Sequence, residues 1–289
     1  MSQTVSPPMS LYKYLPAKRA REFFEKPVLR FTPPSELNDI FELKPPVRDA
    51  SFEQDEDGWD WLAKINGGDF EPSMPLDKWV NFFDNESLDR DESEYLEYLK
   101  MLRDLHTMQQ QRGAAGILSL SSINDSLLMW SHYCVNHAGF VIELDAATQL
   151  IKPEPDGRIF GKPKKITYTE ERPSIPIANI SRQLKKSKQW SLYFLPLYFT
   201  KSKDWSYEEE WRVVTREVDN LNTIIDDKGR EIKGFTLLPV KAIKSVILGF
   251  RADSDLWEQA RTFSREHNII LKQAMPDRLR FALNIIEVK

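Results

Sequence analysis

The sequence contains a single cysteine, Cys134, among its 289 residues, and this scarcity limits the chemistry open to the chain. One cysteine forms no internal disulfide and supports no multi-cysteine metal site, which is typical of a reducing compartment. The chain also has no run of about 18 apolar residues, and its N-terminus lacks the basic and then apolar pattern of a signal peptide. We therefore expect a cytoplasmic protein without a membrane-spanning segment.

Several catalytic signatures are absent as well. The chain has no HExxH, no phosphate-binding P-loop, no GxGxxG after a strand and no GxSxG. Of its four histidines, His132 and His137 lie five residues apart across an expected helix end, which is poor spacing for one metal ion. These absences remove many enzyme classes, and we predict no metal-binding residues.

What is present is an ordinary globular composition with unevenly distributed charge. Hydrophobic residues make up 41% of the chain and the formal net charge is -4, which argues against general nucleic-acid binding. Residues 36–104 are strongly acidic, whereas residues 158–203 collect lysines and arginines. A solvated surface is the simpler explanation of both runs, but the basic run could attract a ligand that carries phosphate.

The order of predicted elements favours an α+β fold. Strands and helices mix without regular alternation, so we expect a mixed, largely antiparallel sheet core with flanking helices. We predict a single domain over residues 1–289, with residues 50–110 as an acidic helical insertion. Helices are expected in "NDSLLMWSHY", capped by Asn124 or Asp125, in "NISRQLKKSKQWSLYF", and in "SDLWEQARTFSREHN", capped by Ser254.

The segment "SYEEEWRVV", residues 206–214, carries three consecutive glutamates. Its ending is typical of a strand, and we predict that the whole segment forms one, which would place Glu208, Glu210 and Arg212 on one face. Two carboxylates on one face repel each other unless a cation or a ligand lies between them. Two explanations stay open: a bound small molecule compensates the charge, or Arg212 and Lys201 or Lys203 form a ladder of ion pairs at a sheet edge.

Blocks along the chain resemble, in order, those of the bacterial DUF2971 family. They are "LYKY", "FTPPSELNDIFE", "LSLSS" with "LLMWSHYCVNHAGFVIELD", "YFTKSKDWSYEEEWRVV" and "IKSVILG", within residues 11–274. Where the family usually has Cys-Phe-Ser, this chain has Ser119, Leu120 and Ser121. The family has no settled activity, so the resemblance implies a grouping and a set of candidate positions rather than a reaction.

The block order is also similar to that of ADP-ribosyltransferases, which have a basic or aromatic residue on a first strand, a serine on a middle strand and a late Glu-x-Glu. This similarity implies an enzyme that uses NAD, acting as an effector in bacterial defence against phage or as a toxin. Glu210 would stabilise an oxocarbenium-like centre and Glu208 would orient or deprotonate the acceptor, while His132 would face the cleft. The residues expected to bind NAD are Tyr12, Lys13, Tyr14, Ser119, Ser121, Tyr133, Lys201 and Arg212.

Two other functions remain open. In a metal-dependent nuclease or phosphodiesterase, Mg²⁺ would be bound by Asp39, Glu42, Glu208 and Glu210, with Lys201 near the scissile phosphate. In a non-enzymatic sensor or partner subunit of a defence system, the acidic insertion would dock another protein. The expected partners are therefore a nucleotide or NAD-like small molecule, a protein at the insertion, and a protein or nucleic acid as acceptor, with no membrane.

Overall fold

The computed structural model describes residues 6–39, 41, 47–48, 116–148, 162–173, 175–176, 198–215, 221–225 and 229–288. The helical insertion expected over residues 50–110 and the helix expected over residues 179–194 lie outside these ranges. Among the described residues, no helix combines the length and the apolar character needed to cross a membrane.

Short strands dominate the described residues. The strands are β1 (Ser10–Leu15), β2 (Val28–Arg30), β3 (Val47–Arg48), β4 (Gly116–Ser121), β5 (Phe140–Asp145), β6 (Lys164–Lys165), β7 (Thr167–Thr169), β8 (Ile175–Pro176), β9 (Thr200–Ser202), β10 (Glu210–Thr215), β11 (Asn222–Ile225), β12 (Glu231–Leu237), β13 (Ile243–Leu248), β14 (Ile270–Pro276) and β15 (Leu283–Glu287). The α-helices are α1 (Ala20–Glu25), α2 (Leu127–His132) and α3 (Ser254–His267).

The main sheet has eight strands in the order β15-β14-β13-β5-β1-β4-β10-β6. Its neighbouring strands run antiparallel, except that β13 and β14 run parallel and are connected by α3. A second sheet has the order β11-β12-β2, and β7 pairs with β9. The expected α+β fold with a mixed, largely antiparallel sheet is confirmed.

The two faces of the main sheet pack against different helices. On one face, Phe140 and Ile142 of β5 join a core cluster with Phe23 of α1 and Phe263 of α3. On the other face, the intervening Val141 belongs to a smaller cluster with residues of α2. This alternation follows from the two-residue period of a strand. We call the second side the α2 face.

The chain divides into two compact units. The first comprises residues 1–37, 115–170 and 201–289, and it contains the main sheet and the three α-helices. The second comprises residues 38–114 and 171–200, where β3 pairs in parallel with β8.

Both helix caps differ from the prediction. The Ser126 hydroxyl, not Asn124 or Asp125, accepts a hydrogen bond from the Met129 amide at 3.3 Å and caps α2. The Asp253 carboxylate, not Ser254, accepts from the Leu256 amide at 2.8 Å and caps α3. Adjacent residues in both segments have side chains that suit an N-cap, and the sequence does not fix which one takes the extended backbone that a cap requires.

Candidate functional site

A line of polar side chains crosses the α2 face of the main sheet. Strand register places Glu210 opposite Ser121, Ser121 opposite Tyr12, Tyr12 opposite Glu143, and Glu143 opposite Ser245. Directly opposed residues of antiparallel strands point to the same face, and Tyr12 shares its face with Tyr14, which packs with α2. We call these five residues the polar row. They lie beside a hydrophobic cluster, where an ordinary sheet would carry apolar side chains.

The three glutamates lie at the junction between a short helix and a strand of the main sheet. A 3-10 helix spans Lys203–Glu208, Glu209 has left-handed backbone angles (φ 43°, ψ 49°), and β10 begins at Glu210. The prediction that residues 206–209 form a strand is therefore wrong. The left-handed residue reverses the chain locally, so Glu208 and Glu210 are both buried, each 3% exposed. Glu209 is half-buried and pairs with Lys165 at 3.2 Å.

Two cations neutralise the two buried carboxylates. The Lys201 amine lies 2.6 Å from Glu208 Oε2 and 3.3 Å from Glu210 Oε2. Arg212 donates from Nε to Glu210 Oε1 at 2.7 Å and from Nη2 to Oε2 at 3.0 Å. We call Lys201, Glu208, Glu210 and Arg212 the buried ion cluster. The sequence left open whether a ligand or internal cations compensate the negative charge. Internal cations are present, and they are buried rather than at an exposed sheet edge. Lys203 instead pairs with Glu170 at the surface.

Further polar and aromatic groups surround the cluster. The Tyr133 hydroxyl donates to Glu208 Oε1, and the Ser119 hydroxyl bonds the Glu210 carboxylate. The Glu210 amide donates to the Tyr168 hydroxyl at 2.8 Å, and the Trp205 ring centroid lies 4.7 Å from the Lys201 amine. Sequence reasoning missed Tyr168 and Trp205, although Trp205 lies within the same lysine-rich and glutamate-rich block.

The electrostatics of the cluster follow from burial and mutual attraction. Burial raises the pKa of the Glu210 carboxyl above its ordinary value, against the opposing effect of Lys201. Burial alone would lower the pKa of the Lys201 amine, but the charges of Glu210 and Glu208 raise it above its ordinary value. Lys201 therefore keeps its positive charge at neutral pH.

The two carboxylates differ in how many hydrogen bonds they already accept. Glu210 accepts two from Arg212, one from Lys201 and one from Ser119, which fills the roughly four acceptor positions of a carboxylate. Glu208 accepts one from Lys201 and one from Tyr133 among the described residues. Glu208 is therefore the better placed of the two to accept hydrogen bonds from a ligand.

Three residues predicted to bind a cofactor make hydrogen bonds within the protein. The Ser121 hydroxyl donates to the Glu208 carbonyl at 2.7 Å and accepts from the Ile123 amide at 3.1 Å, so it fixes the approach to the cluster. Tyr14 is buried and donates to the Ile123 carbonyl. The Lys13 amine donates to the Ser119 carbonyl at 2.9 Å, and burial lowers its pKa to about 8.

Aromatic residues lie at the margin of the site. Tyr12, Tyr133 and Tyr207 are half-buried and pack against the α2 cluster. His132 is exposed, and its ring centroid lies 6.2 Å from that of Tyr207, the residue before Glu208. Burial and the Glu143 charge raise the pKa of Tyr12. Tyr133 therefore lies beside the buried ion cluster, and Tyr12 lies along the polar row, opposite Ser121.

A second polar group, which sequence reasoning missed, surrounds Glu143. Its carboxylate accepts from Ser10 Oγ at 2.9 Å, Ser245 Oγ at 2.6 Å and Lys272 Nζ at 2.8 Å. Although burial opposes them, these hydrogen bonds lower the pKa of Glu143 below its ordinary value. We call these four residues the Glu143 group. The available signal was Glu143 between the apolar residues Ile142 and Leu144 in the strand sequence "FVIELD".

The expected Mg²⁺ ligands are not brought together as a set within the described residues. Glu208 and Glu210 converge, but Glu42 lies outside those residues. Asp39 belongs to the second unit, where its carboxylate accepts from the Phe41 amide at 2.9 Å in a local turn. Among the described residues, no group of three or more His, Cys, Asp or Glu side chains is arranged to hold a metal ion.

Residues 129–213 match a family model described as "Protein of unknown function (DUF2971)". The resemblance to DUF2971 holds for this stretch. The DUF2971 stretch includes Tyr133, Glu143 and the whole buried ion cluster, whereas β1, β4 and β13 lie outside it. No curated protein and no solved structure matches the chain. The residues that match the family model therefore include all four residues of the buried ion cluster.

Proposed function

We propose that the protein is an ADP-ribosyltransferase-like enzyme that uses NAD, with Glu208 as the carboxylate that contacts the reacting ribose. One observation carries the proposal: Glu208 is a buried carboxylate held by Lys201 and Tyr133, with acceptor capacity left over. A buried acid with fixed partners beside a half-buried aromatic margin is typical of a ligand site.

The chemistry assigns different roles to the two acids. When the bond between nicotinamide and ribose breaks, its electron pair leaves with nicotinamide, and positive charge develops on the ribose. A fixed carboxylate stabilises that charge and accepts hydrogen bonds from the ribose hydroxyls. The acceptor then attacks the ribose carbon, and its proton passes to water. Glu208 takes the first role, while Glu210, Lys201 and Arg212 act as positioning residues.

The aromatic margin supplies the remaining binding functions. Tyr133 orients Glu208 through its hydroxyl, and its half-buried ring borders the site. The rings of Tyr207 and His132 lie next to each other at this margin, and they offer a surface on which a flat nicotinamide ring stacks in this proposal. Lys13 and Arg212 are engaged with a backbone carbonyl and with Glu210, so neither is assigned to the diphosphate in this proposal.

The test compares Glu208→Gln with Glu209→Gln, two adjacent glutamates of opposite orientation. Release of labelled nicotinamide from NAD should fall by roughly 100-fold or more in the first variant, because the transition-state charge loses its counterion. Glu209 pairs with Lys165 at the surface, so the second variant should keep the wild-type rate. Equal rates in the two folded variants, or a wild-type protein that releases no nicotinamide, would refute the proposal.

Ligand binding gives an independent check against the nuclease alternative. NAD should raise the melting temperature of the wild-type protein, and Mg²⁺ should not. The proposal includes a role as a defence or toxin-type effector, with protein or nucleic acid as acceptor. Expression of the wild-type chain should then slow the growth of a bacterial host, and expression of the Glu208→Gln chain should not.

A further inference from the structure

We propose that the Glu143 group is a second ligand subsite, which takes the ribose and phosphate of the AMP half of a dinucleotide. This assignment rests on the proposed function for the other half of the ligand. Glu143 lies within the DUF2971 stretch, yet its three partners come from β1, β13 and β14, outside that stretch.

The middle of the polar row is its most open part. Glu210 and Ser121 at one end are 3% and 1% exposed and Ser245 at the other end is 0% exposed, whereas Tyr12 and Glu143 between them are half-buried. A ligand would therefore reach Glu143 from the side of Tyr12, with its reacting end towards the buried ion cluster.

The distance from the buried ion cluster to the Glu143 group suits a ligand with two sugars. Glu210 of the cluster, on β10, and Glu143, on β5, are separated by three strand spacings, since β4 and β1 lie between them. At 4.7–4.9 Å per spacing this is about 14 Å, which is too far for one ribose to contact both the cluster and Glu143. A dinucleotide carries two ribose diols joined by a diphosphate, so it can reach both positions at once.

The side chains of the Glu143 group suit a nucleoside phosphate. The carboxylate can accept from a ribose hydroxyl, because the half-buried Ser10 hydroxyl that now donates to it can rotate toward another partner. Lys272 bonds Glu143, and Lys244 Nζ lies 3.1 Å from Ser10 Oγ and 2.6 Å from the Met9 carbonyl, so two ammonium groups border the position of a phosphate. Ile270 and Tyr12 offer apolar surface for a base on either side.

The decisive comparison uses NAD and nicotinamide mononucleotide, which lacks the AMP half. The wild-type protein should show a higher kcat/KM with NAD than with the mononucleotide. Glu143→Gln should reduce the ratio of the two values by about tenfold, the effect of losing one hydrogen bond to a charged group. Glu258→Gln is the matched control, because Glu258 is an exposed glutamate of α3, which packs on the opposite face of the sheet. An unchanged ratio in folded Glu143→Gln protein would overturn the subsite.

AMP itself is the second probe, and its binding does not depend on turnover. AMP should raise the melting temperature of the wild-type and Glu258→Gln proteins but not that of Glu143→Gln or Lys272→Met, which serves if the first variant fails to fold. AMP binding with no turnover of NAD would overturn the proposed function and leave the subsite standing. Turnover of NAD with no AMP binding to the wild type would overturn the subsite alone.

Discussion

Replacing Lys201 by methionine should be among the most destabilising single changes in the chain. The Lys201 side chain is 4% exposed and lies within 3.3 Å of both Glu208 and Glu210. Methionine preserves much of the apolar stem but leaves two buried carboxylates with Arg212 as their remaining cation in the cluster. Breaking a buried ion pair by removing one partner costs about 3–5 kcal/mol, because an uncompensated charge stays in the interior.

A nearby lysine provides the control for that figure. Lys203 pairs with Glu170, and their side chains are 66% and 77% exposed. Surface pairs of this kind contribute about 0–1 kcal/mol, so Lys203→Met should change the free energy of unfolding by less than 1 kcal/mol. The two variants have the same change in composition and net charge, so the difference between them isolates burial.

Urea denaturation at pH 7 measures both effects, provided that the slope of the unfolding free energy against urea is the same for all proteins compared. The double variant with Lys201→Met and Glu208→Gln should be less destabilised than the sum of the single changes, by roughly 0.5–3 kcal/mol, since removing one carboxylate relieves the imbalance. A cost for Lys201→Met no greater than that for Lys203→Met would refute the description of the cluster as buried and charge-balanced.

Two further predictions concern Lys13 and Val135. Because the folded pKa of Lys13 is lowered to about 8, the folded state releases this proton at lower pH than the unfolded chain. Burial of the charged Lys13 amine therefore destabilises the folded state most below pH 8, and this penalty is relieved as the pH rises from 8 toward 10.5, the ordinary lysine pKa value. The unfolding free energy of the wild type relative to Lys13→Met should therefore rise by about 1.5 kcal/mol from pH 8 to 9.5, and a flat difference would contradict the shift. Val135 is exposed, with φ 48° in the left-handed region. Val135→Gly removes the left-handed strain of valine, worth about 1 kcal/mol, and the chain entropy that glycine adds offsets part of this gain. The unfolding free energy should therefore rise, and a lower melting temperature would contradict this.

The sequence predicted the elements whose side chains follow a simple period. Apolar runs identified β4, β5 and β13, and their mixture with helices gave the α+β class. The prediction of a strand at residues 206–209 was wrong because Glu209 has left-handed backbone angles. A sequence does not indicate this conformation when the residue is not glycine. Lys201 and Arg212 were foreseen as partners of the glutamates because they are close in sequence.

The Glu143 group could not be predicted for the opposite reason. Ser10, Ser245 and Lys272 lie 133, 102 and 129 residues from Glu143 along the chain. No local pattern connects them, and their meeting depends on the strand order of the sheet. Sequence spacing identified the buried ion cluster at β10. The tertiary structure is needed to see that the polar row runs from this cluster across β4 and β1 to Glu143 on β5.

The position of β5 in the sheet means that the DUF2971 stretch depends on other parts of the chain to fold. Both ladders of β5 are completed by strands outside that stretch, β1 and β13, and β10 likewise depends on β4. An excised fragment of residues 129–213 would present these unpaired backbone edges to solvent and would tend to aggregate rather than fold. Any protein that carries the stretch in this form must supply the missing neighbouring strands from its flanking sequence.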